Sequence, residues 1–220
     1  MDEYIHHEDS MESTKRLEAF SDGVFAIAIT LLILEIKVPS KEMLEHERLS
    51  NYLLRQWPEY FAYIFSFVII GIYWANHQHL FRLFRKSDHV FNLLNIFFLM
   101  TIAFLPYPTG IFGEYITDKK QIETAVLFYS VGIFLPALAW LLMWLYGSAN
   151  KRLLDHRLKE SFINGLTRKF ILSNLLYIIA ILLALWNPFA SITLNVGLTL
   201  LYLIPPPSPQ YHSQPQSGKT

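Results

Sequence analysis

The sequence predicts an all-α integral membrane protein with six transmembrane helices. Of its 220 residues, 53% are hydrophobic and only 16% are charged, whereas soluble domains carry about 25% charged residues. Long apolar runs alternate with short polar stretches, as expected of a chain that crosses a membrane several times. The formal net charge is zero, which gives no general attraction to nucleic acid. Cysteine is absent, which excludes disulfides and thiolate metal sites.

The order of the apolar runs sets the domain organisation. The predicted spans are 17–36, 60–76, 90–112, 124–146, 170–186 and 189–204. Pro106 and Pro108 are expected to bend or end the last turns of the third span, because proline cannot continue the hydrogen-bond ladder of a helix. The sixth span has 16 residues, fewer than the roughly 20 that cross a bilayer, so we expect it to tilt little or to thin the bilayer. The six spans form one domain over residues 16–204.

The segments that flank the spans predict the orientation. With the N-terminus inside, 12 Lys and Arg residues lie in inner segments and 6 in outer ones, so the positive-inside rule places both termini in the cytoplasm. Residues 1–15 are acidic and do not resemble a signal peptide, and we interpret them as a cytoplasmic N-terminal arm. Residues 40–57 have the spacing of an amphipathic surface helix. Residues 205–220 are rich in Pro, Gln and Ser and are expected to be a disordered tail.

The first span carries the strongest functional signal. Between Val24 and Leu34 the only polar residue is Thr30, yet Asp22 stands at the entrance of this apolar run. A carboxylate in the middle of a membrane helix costs roughly 2.5 to 3.5 kcal/mol, and less near its ends. Such a residue usually pairs with, binds or moves something, so we expect the function to reside in this helix.

One stripe of the first span has two possible interpretations. At about 100° per residue, the stripe contains Gly23, Ile27, Thr30 or Leu31, and Leu34. Ordinary helix packing would explain it, because small residues let neighbouring helices approach. Alternatively, the stripe from several subunits lines a narrow pore, in which aliphatic rings exclude water and a threonine hydroxyl replaces part of an ion's hydration shell. A single stripe cannot enclose a pore, so this interpretation requires an oligomer.

Three motifs in the first half of the chain resemble those of a known family. They are R-x-x-x-F-S-D-G at 16–23, Y-W-x-x-H-x-x-L-F at 73–81, and F-L-P-Y-P-T at 104–109 followed by Glu114 and Tyr115. In order and spacing they resemble the transmembrane protein 175 family, which are potassium channels of lysosomes and of many prokaryotes. The resemblance covers residues 16–115, and the first motif is its most specific part.

The resemblance implies a homotetramer of six-span subunits in a lipid bilayer, with the first helix of each subunit around a central pore. It implies passive, potassium-selective conduction without a cofactor or enzymatic activity, in the plasma (inner) membrane of a prokaryote. Matched position by position, Ile27 forms the tightest ring, Thr30 helps to coordinate the ion, and Leu31 and Leu34 form wider rings. These positions coincide with the stripe found from helical periodicity.

The resemblance also implies a polar network behind the pore helix. It consists of Arg16, Ser21, Asp22 and His77, with Phe20 in the same motif, and its role is structural and gating. The resemblance leaves the roles of two further residues unassigned. Asn95, in the third span, is a possible partner of this network. His79 marks a departure, because family members often have an adjacent histidine pair, whereas this chain reads His77-Gln78-His79.

A proton-linked carrier is the competing hypothesis, in which Asp22 and His77 would titrate and alternate access. No inverted repeat or pair of broken helices supports it. His6–His7 and the His77/His79 pair are weak candidates for a metal site, because histidines two apart on a helix point in different directions. Ser21 next to Asp22 is poor geometry for a catalytic triad, so an enzyme is not expected.

Overall fold

The computed structural model describes residues 2–45, 47–204 and 206–211. Within these residues the chain forms eight α-helices, and three short 3₁₀ turns lie between them or extend them. The helices are α1 Asp2–Leu31, α2 Leu49–Arg55, α3 Trp57–Phe81, α4 His89–Phe104, α5 Pro106–Tyr115, α6 Ile122–Ser148, α7 Glu160–Ala184 and α8 Pro188–Leu201. The 3₁₀ turns are Leu32–Glu35, Glu42–Leu44 and Ala149–Lys151.

Five stretches of the described chain are long and apolar enough to cross a membrane, and the chain is an integral membrane protein. These stretches are Thr14–Leu34, Trp57–Phe81, His89–Tyr115, Ile122–Lys151 and Glu160–Ala184. They correspond to the first five predicted spans. The sixth corresponds to α8, which has 14 residues and is therefore about 21 Å long at about 1.5 Å per residue. This is shorter than the hydrocarbon core of a bilayer, so a sixth crossing stays a prediction.

Prolines act differently in the third and fourth spans. α4 ends at Phe104 and α5 begins at Pro106, as expected from a residue that lacks a backbone N–H. Leu105 between them keeps helical angles, φ −52° and ψ −38°, so the chain continues in nearly the same direction. In α6, by contrast, Pro136 lies inside a helix that runs from Ile122 to Ser148. The third span is therefore two helical pieces, and the fourth is one.

α6 occupies the centre of the subunit and is the most buried of the five spans. It packs against α4, α5, α7 and α8, whereas α1 packs against α3 and α4 and is the least buried span. Close approach between α6 and α5 depends on Gly132, because a Cβ at this position would lie 2.5 Å from Pro108 Cγ. The architecture thus leaves most of the span Thr14–Leu34 unburied within its own subunit.

A buried serine and asparagine cluster holds the short α8 against α6. Asn195 Nδ2 donates to Ser130 Oγ at 2.9 Å, and the hydroxyls of Ser130 and Ser191 lie 3.0 Å apart. Ser191 Oγ also donates to the backbone carbonyl of Ala180 on α7 at 2.7 Å. Hydrogen bonds between membrane helices are directional, so they fix α8 in register where apolar contacts alone would let it slide.

The loops after α3 and α6 join at one end of the bundle. Arg85 N donates to Leu153 O at 2.8 Å, and Asp155 N donates to Leu83 O at 3.0 Å. The buried Asp155 carboxylate pairs with Arg85 at 3.1 Å and with Arg157 at 2.8 Å. Partial burial acts to raise the pKa of Asp155, but hydrogen bonds from Arg157 and the charge of Arg85 outweigh it, so its pKa lies below the usual value.

Part of the expected disordered tail is ordered at this same end. Lys159 N donates to Gln210 O at 2.9 Å, and Leu158 and Tyr211 form an antiparallel bridge. The Arg157 guanidinium lies 5.4 Å from the centre of the Tyr211 ring. Residues 206–211 therefore differ from the expectation, because backbone pairing that composition does not reveal holds them. Residues 205 and 212–220 lie outside the described residues.

Two other segments also differ from the expectation. The described part of α1 begins at Asp2, so residues 2–15 of the expected N-terminal arm continue the first span as one helix. In place of one surface helix over 40–57, the chain forms the 3₁₀ turn Glu42–Leu44 and the seven-residue α2. Met43 and Leu54 remain exposed there, in keeping with the amphipathic pattern.

Candidate functional site

α1 presents two different faces. Phe25 and Leu32 are buried against α3 and α4, whereas the side chains of the predicted stripe are exposed: 60% for Ile27, 53% for Leu31 and 71% for Leu34. The last of these belongs to the 3₁₀ turn that follows α1, so the regular helical spacing used to predict the stripe ends at Leu31. An exposed apolar face on a helix normally contacts another protein surface or lipid.

Thr30 lies on the exposed side of α1, within the stripe. Its Oγ1 donates to the Ala26 carbonyl at 2.8 Å and is 3.0 Å from the Ile27 carbonyl. One hydroxyl hydrogen is thereby shared between two backbone acceptors, and the oxygen keeps its own lone pairs for another contact. The side chain can therefore serve as an oxygen ligand for a cation on the exposed side of the helix.

An open groove of about 330 Å³ flanks the stripe. On one side it is lined by α1, and on the other by the α4–α5 junction, where Ala103, Pro106 and the exposed Tyr107 lie. Ile27 and Leu31 contribute to both the groove and the stripe. The groove is apolar, and its position makes the stripe and the α4–α5 junction parts of one continuous surface.

Behind the stripe, a buried chain of hydrogen bonds connects α3, α4 and α1. His77 Nε2 lies 2.9 Å from Asn95 Oδ1, Asn95 Nδ2 donates to Ser21 Oγ at 2.9 Å, and Ser21 Oγ donates to the Leu17 carbonyl at 2.8 Å. Asn95 and Ser21 are fully buried, and His77 is 1% exposed. We call this set, from His77 through Asn95 and Ser21 to Leu17, the anchor chain.

The direction of the anchor chain follows from its last member. The Leu17 carbonyl only accepts, so Ser21 gives it its single hydrogen and must accept from Asn95 Nδ2. This orients the amide with Oδ1 toward His77, which must then donate from Nε2. The assignment makes His77 a donor at Nε2, and each of the three hydrogen bonds then has one donor and one acceptor.

Aromatic rings enclose the imidazole of His77. The ring of Phe81 stacks on it at 4.2 Å between centroids, Phe98 lies nearly parallel at 5.7 Å, and Phe25 contacts it edge-on at 5.6 Å. The histidine thus joins α1, α3 and α4 through packing as well as through hydrogen bonds. Its surroundings fix one ring orientation.

The structure separates the predicted network into two parts. Ser21 and His77 are brought together through Asn95, while Asp22 Oδ1 accepts a separate hydrogen bond from Trp74 Nε1 at 2.8 Å. Arg16 is exposed, and no ion pair of the described residues joins it to Asp22. The side chain of Phe20 is also exposed.

The hydrogen-bond partners of α1 on the neighbouring helices are Asn95 and Trp74. Asn95 was visible as an amide in an apolar span, and Trp74 as part of the Y-W-x-x-H motif. A buried amide between membrane helices usually bonds across them, and Asn95, named above as a possible partner of the network, does so with His77 and Ser21. The Trp74 indole has only one polar atom, a donor, and an unpaired carboxylate nearby is a natural acceptor.

The other candidate residues lie elsewhere. The imidazole of His79 faces a small cavity near Lys169 and Pro206 and is not in the anchor chain. The side chains of His6 and His7 lie outside the described residues. Where side chains are described, no group of three or more His, Asp or Glu residues is positioned to hold a metal ion.

Comparisons with known proteins agree with these features. The family model of the endosomal/lysosomal potassium channel TMEM175 matches residues 16–106. A potassium channel of Chamaesiphon minutus is 38% identical over 192 residues, covering 87% of this chain and 92% of its own length. The endosomal/lysosomal proton channel TMEM175 of Danio rerio is 36% identical over 148 residues, which cover 64% of this chain and 28% of that protein.

The fold has a solved counterpart. The crystal structure of a lysosomal potassium-selective channel TMEM175 homologue from Chamaesiphon minutus superposes with a TM-score of 0.76 at 32% identity. The match covers 88% of this chain and 97% of that one. Because a prokaryotic relative matches this chain over nearly its whole length and the solved homologue has the same fold, this chain belongs to the TMEM175 family.

Proposed function

We propose that the protein is the subunit of a passive, potassium-selective channel in which the stripe of α1 from four copies lines the pore. The observation that carries this proposal is the contrast between the two faces of α1. The exposed face bears Ile27, Leu31 and Leu34, and the opposite face is fixed in the subunit by the anchor chain. The prokaryotic relative and the solved homologue, both described as potassium channels, support the same function.

Selectivity would come from the cost of removing water from the ion. A ring of four isoleucines at position 27 leaves no polar ligand, so an ion must shed part of its hydration shell to pass. Sodium binds its shell more tightly than potassium, and a dehydrating ring therefore penalises sodium more. The Thr30 hydroxyl, one turn further along, offers an oxygen that replaces part of the lost shell.

Two surfaces support the arrangement of the subunits. The apolar groove between α1 and the α4–α5 junction adjoins the stripe, where a neighbouring α1 could pack in a closed ring. The outer face of α7, in contrast, is a continuous apolar surface typical of a helix against lipid tails. Its exposed residues are Ile171, Leu172, Leu175, Ile178, Ile179 and Leu182.

The proposed orientation places both termini in the cytoplasm of a prokaryote, in its plasma membrane. The end of the bundle where the loops after α3 and α6 meet contains Arg85, Arg152 and Arg157. Positive side chains concentrate on the cytoplasmic side of membrane proteins, which supports this assignment.

Potassium flux into proteoliposomes of the purified protein, with sodium as the matched ion, tests the function. We expect flux with potassium and much less with sodium. Ile27→Asn should widen the ring and lower the potassium-to-sodium permeability ratio. Ile33→Asn is the control, because Ile33 is similarly exposed but faces away from the stripe. Equal ratios in wild type and Ile27→Asn would remove Ile27 from the selective ring.

The competing hypothesis is a proton-linked carrier that uses Asp22 and His77, and the Danio rerio relative bears the name of a proton channel. Two contacts weigh against it. Asp22 and His77 make separate hydrogen bonds, and the anchor chain ends on the Leu17 carbonyl, which has no proton to pass on. A carrier would give saturable flux coupled to a pH gradient, and a channel would give a current that reverses at the potassium equilibrium potential.

A further inference from the structure

Among the buried polar atoms of the described residues that have no hydrogen-bond partner in the protein, three lie on α3, α6 and α7 in residues that line two small cavities. They are His79 Nε2, Trp140 Nε1 and Asn174 Oδ1. Trp140 and Asn174 are only 7% and 6% exposed, so bulk water does not satisfy them. Polar atoms left without a partner in the interior are costly and rare. A partner of the right chemistry is therefore expected at each of them.

Two small cavities lie at these atoms. Each has a volume of about 20 Å³, enough for one water molecule. Trp140 and Asn174 line the first cavity, and His79 and Lys169 line the second. Trp140 belongs to both, so the two cavities adjoin each other. Four residues line both cavities: Asn76, Trp140, Phe170 and Tyr202.

The atoms around the first cavity are complementary to water. The indole N–H of Trp140 only donates, and the amide Oδ1 of Asn174 only accepts. The orientation of the amide is fixed, because its Nδ2 already donates to the carbonyls of Phe170 at 2.9 Å and Ala137 at 3.2 Å. A water molecule can accept from the indole and donate to the amide oxygen. Neither Trp140 Nε1 nor Asn174 Oδ1 bonds to another polar side chain of the lining. These side chains are Tyr73, Asn76, Tyr177, Thr199 and Tyr202.

The neighbouring tryptophan on α6 shows the alternative. Trp144, one turn further along, is fully buried, and its Nε1 donates to Thr167 Oγ1 at 2.8 Å. The protein thus supplies a side-chain partner for one indole and a cavity for the other. Trp144 can therefore serve as the control for Trp140 within the same molecule.

We propose that each subunit binds two ordered water molecules in these cavities, one between Trp140 and Asn174 and one at His79. This hydration site lies in the interior of the subunit, apart from the stripe of α1. It links α3, α6 and α7 by hydrogen bonds, and the end near Lys169 and Pro206 is its entrance. It does not depend on which ion the protein conducts.

Hydroxyl-radical footprinting by X-ray radiolysis tests the proposal on the full-length protein in lipid nanodiscs. Radicals form from bound water as well as from bulk water, so a buried side chain beside ordered water is oxidised. We expect oxidation of Trp140 to be several-fold faster than oxidation of Trp144. Equal and slow oxidation of the two indoles would overturn the proposal.

Asn174→Leu provides the second measurement, because it replaces the amide oxygen that would accept from the water with a methyl group of similar size. We expect Trp140 oxidation to fall to the level of Trp144, while oxidation of the exposed Trp186 stays unchanged and reports an intact fold. Unchanged Trp140 oxidation in the folded variant would contradict the site. If the variant does not fold, density for water within hydrogen-bond distance of Trp140 Nε1 in a high-resolution map of the wild type decides, and its absence refutes the proposal.

Discussion

Asn95 holds α1 in place through two hydrogen bonds, and its replacement by leucine should weaken the subunit measurably. The leucine is similar in size, so the main change is the loss of the bonds to His77 and Ser21. Hydrogen bonds between membrane helices contribute about 0.6 kcal/mol each on average and up to about 1.7 kcal/mol. His77 Nε2–H would also be left buried without an acceptor, so we expect a total loss of about 1 to 3 kcal/mol.

The assay is the free energy of unfolding in detergent or bicelles, with Asn92→Leu as the matched control. Asn92 lies on the same helix, but its Oδ1 has no partner, so removal of this amide should cost much less. In a double-mutant cycle with His77→Leu, the combined variant should lose less stability than the sum of the single variants, because no donor is left unpaired. Equal effects at the two asparagines, or additive effects in the cycle, would refute the anchor chain as a source of stability.

Three further substitutions test other parts of the structure. Thr30→Val keeps the shape of the side chain but removes its oxygen, and we expect lower potassium conductance in single-channel recordings without loss of the oligomer in size-exclusion chromatography. Gly132→Ala should lower the free energy of unfolding by about 1 to 3 kcal/mol, because the new Cβ would lie 2.5 Å from Pro108 Cγ. Gly165→Ala is the control: its new Cβ meets nothing within 4 Å, so the same measurement should show a neutral or stabilising effect. Asp155→Asn should lower the melting temperature at neutral pH. Because the pKa of the Asp155 carboxyl is depressed in the folded state, this difference should vanish as the pH falls from above the usual pKa of 3.8 through the folded value. A difference that persists in acid would show that the charge of Asp155 is not the cause.

The sequence was sufficient for features that depend on local chemistry. Five apolar runs predicted the five stretches that are long enough to cross a membrane, since a bilayer requires a minimum length of apolar helix. Pro106 predicted the break between α4 and α5 because proline has no backbone N–H to donate. The exposure of Ile27 and Leu34 on one side of the helix is consistent with the predicted stripe. The role of the stripe in a pore stays a prediction.

Features that depend on distant contacts were beyond the sequence. Ser21 and Asn95 are 74 residues apart, and no local pattern pairs them. The family resemblance placed Arg16 and Asp22 in one polar network. No ion pair of the described residues joins them within the subunit, and six positions along a helix place two side chains on different faces. The pairing of Leu158 with Tyr211 was hidden for a related reason, because a polar, proline-rich segment gives no sign of where its backbone will bond.

The two contacts that fix α1 also restrict how it can move. Ser21 and Asp22 bond to α4 and α3, respectively, and consecutive residues of a helix point about 100° apart. Rotation of the helix about its own axis would break both bonds, whereas a tilt about this point strains them little. This point then acts as a fulcrum, with Ile27 about 8 Å and Leu34 about 18 Å away along the helix at about 1.5 Å per residue. A tilt of α1 would displace Leu34 more than twice as far as Ile27, so in the proposed pore the ring of Leu34 would open widely while the ring of Ile27 changed little.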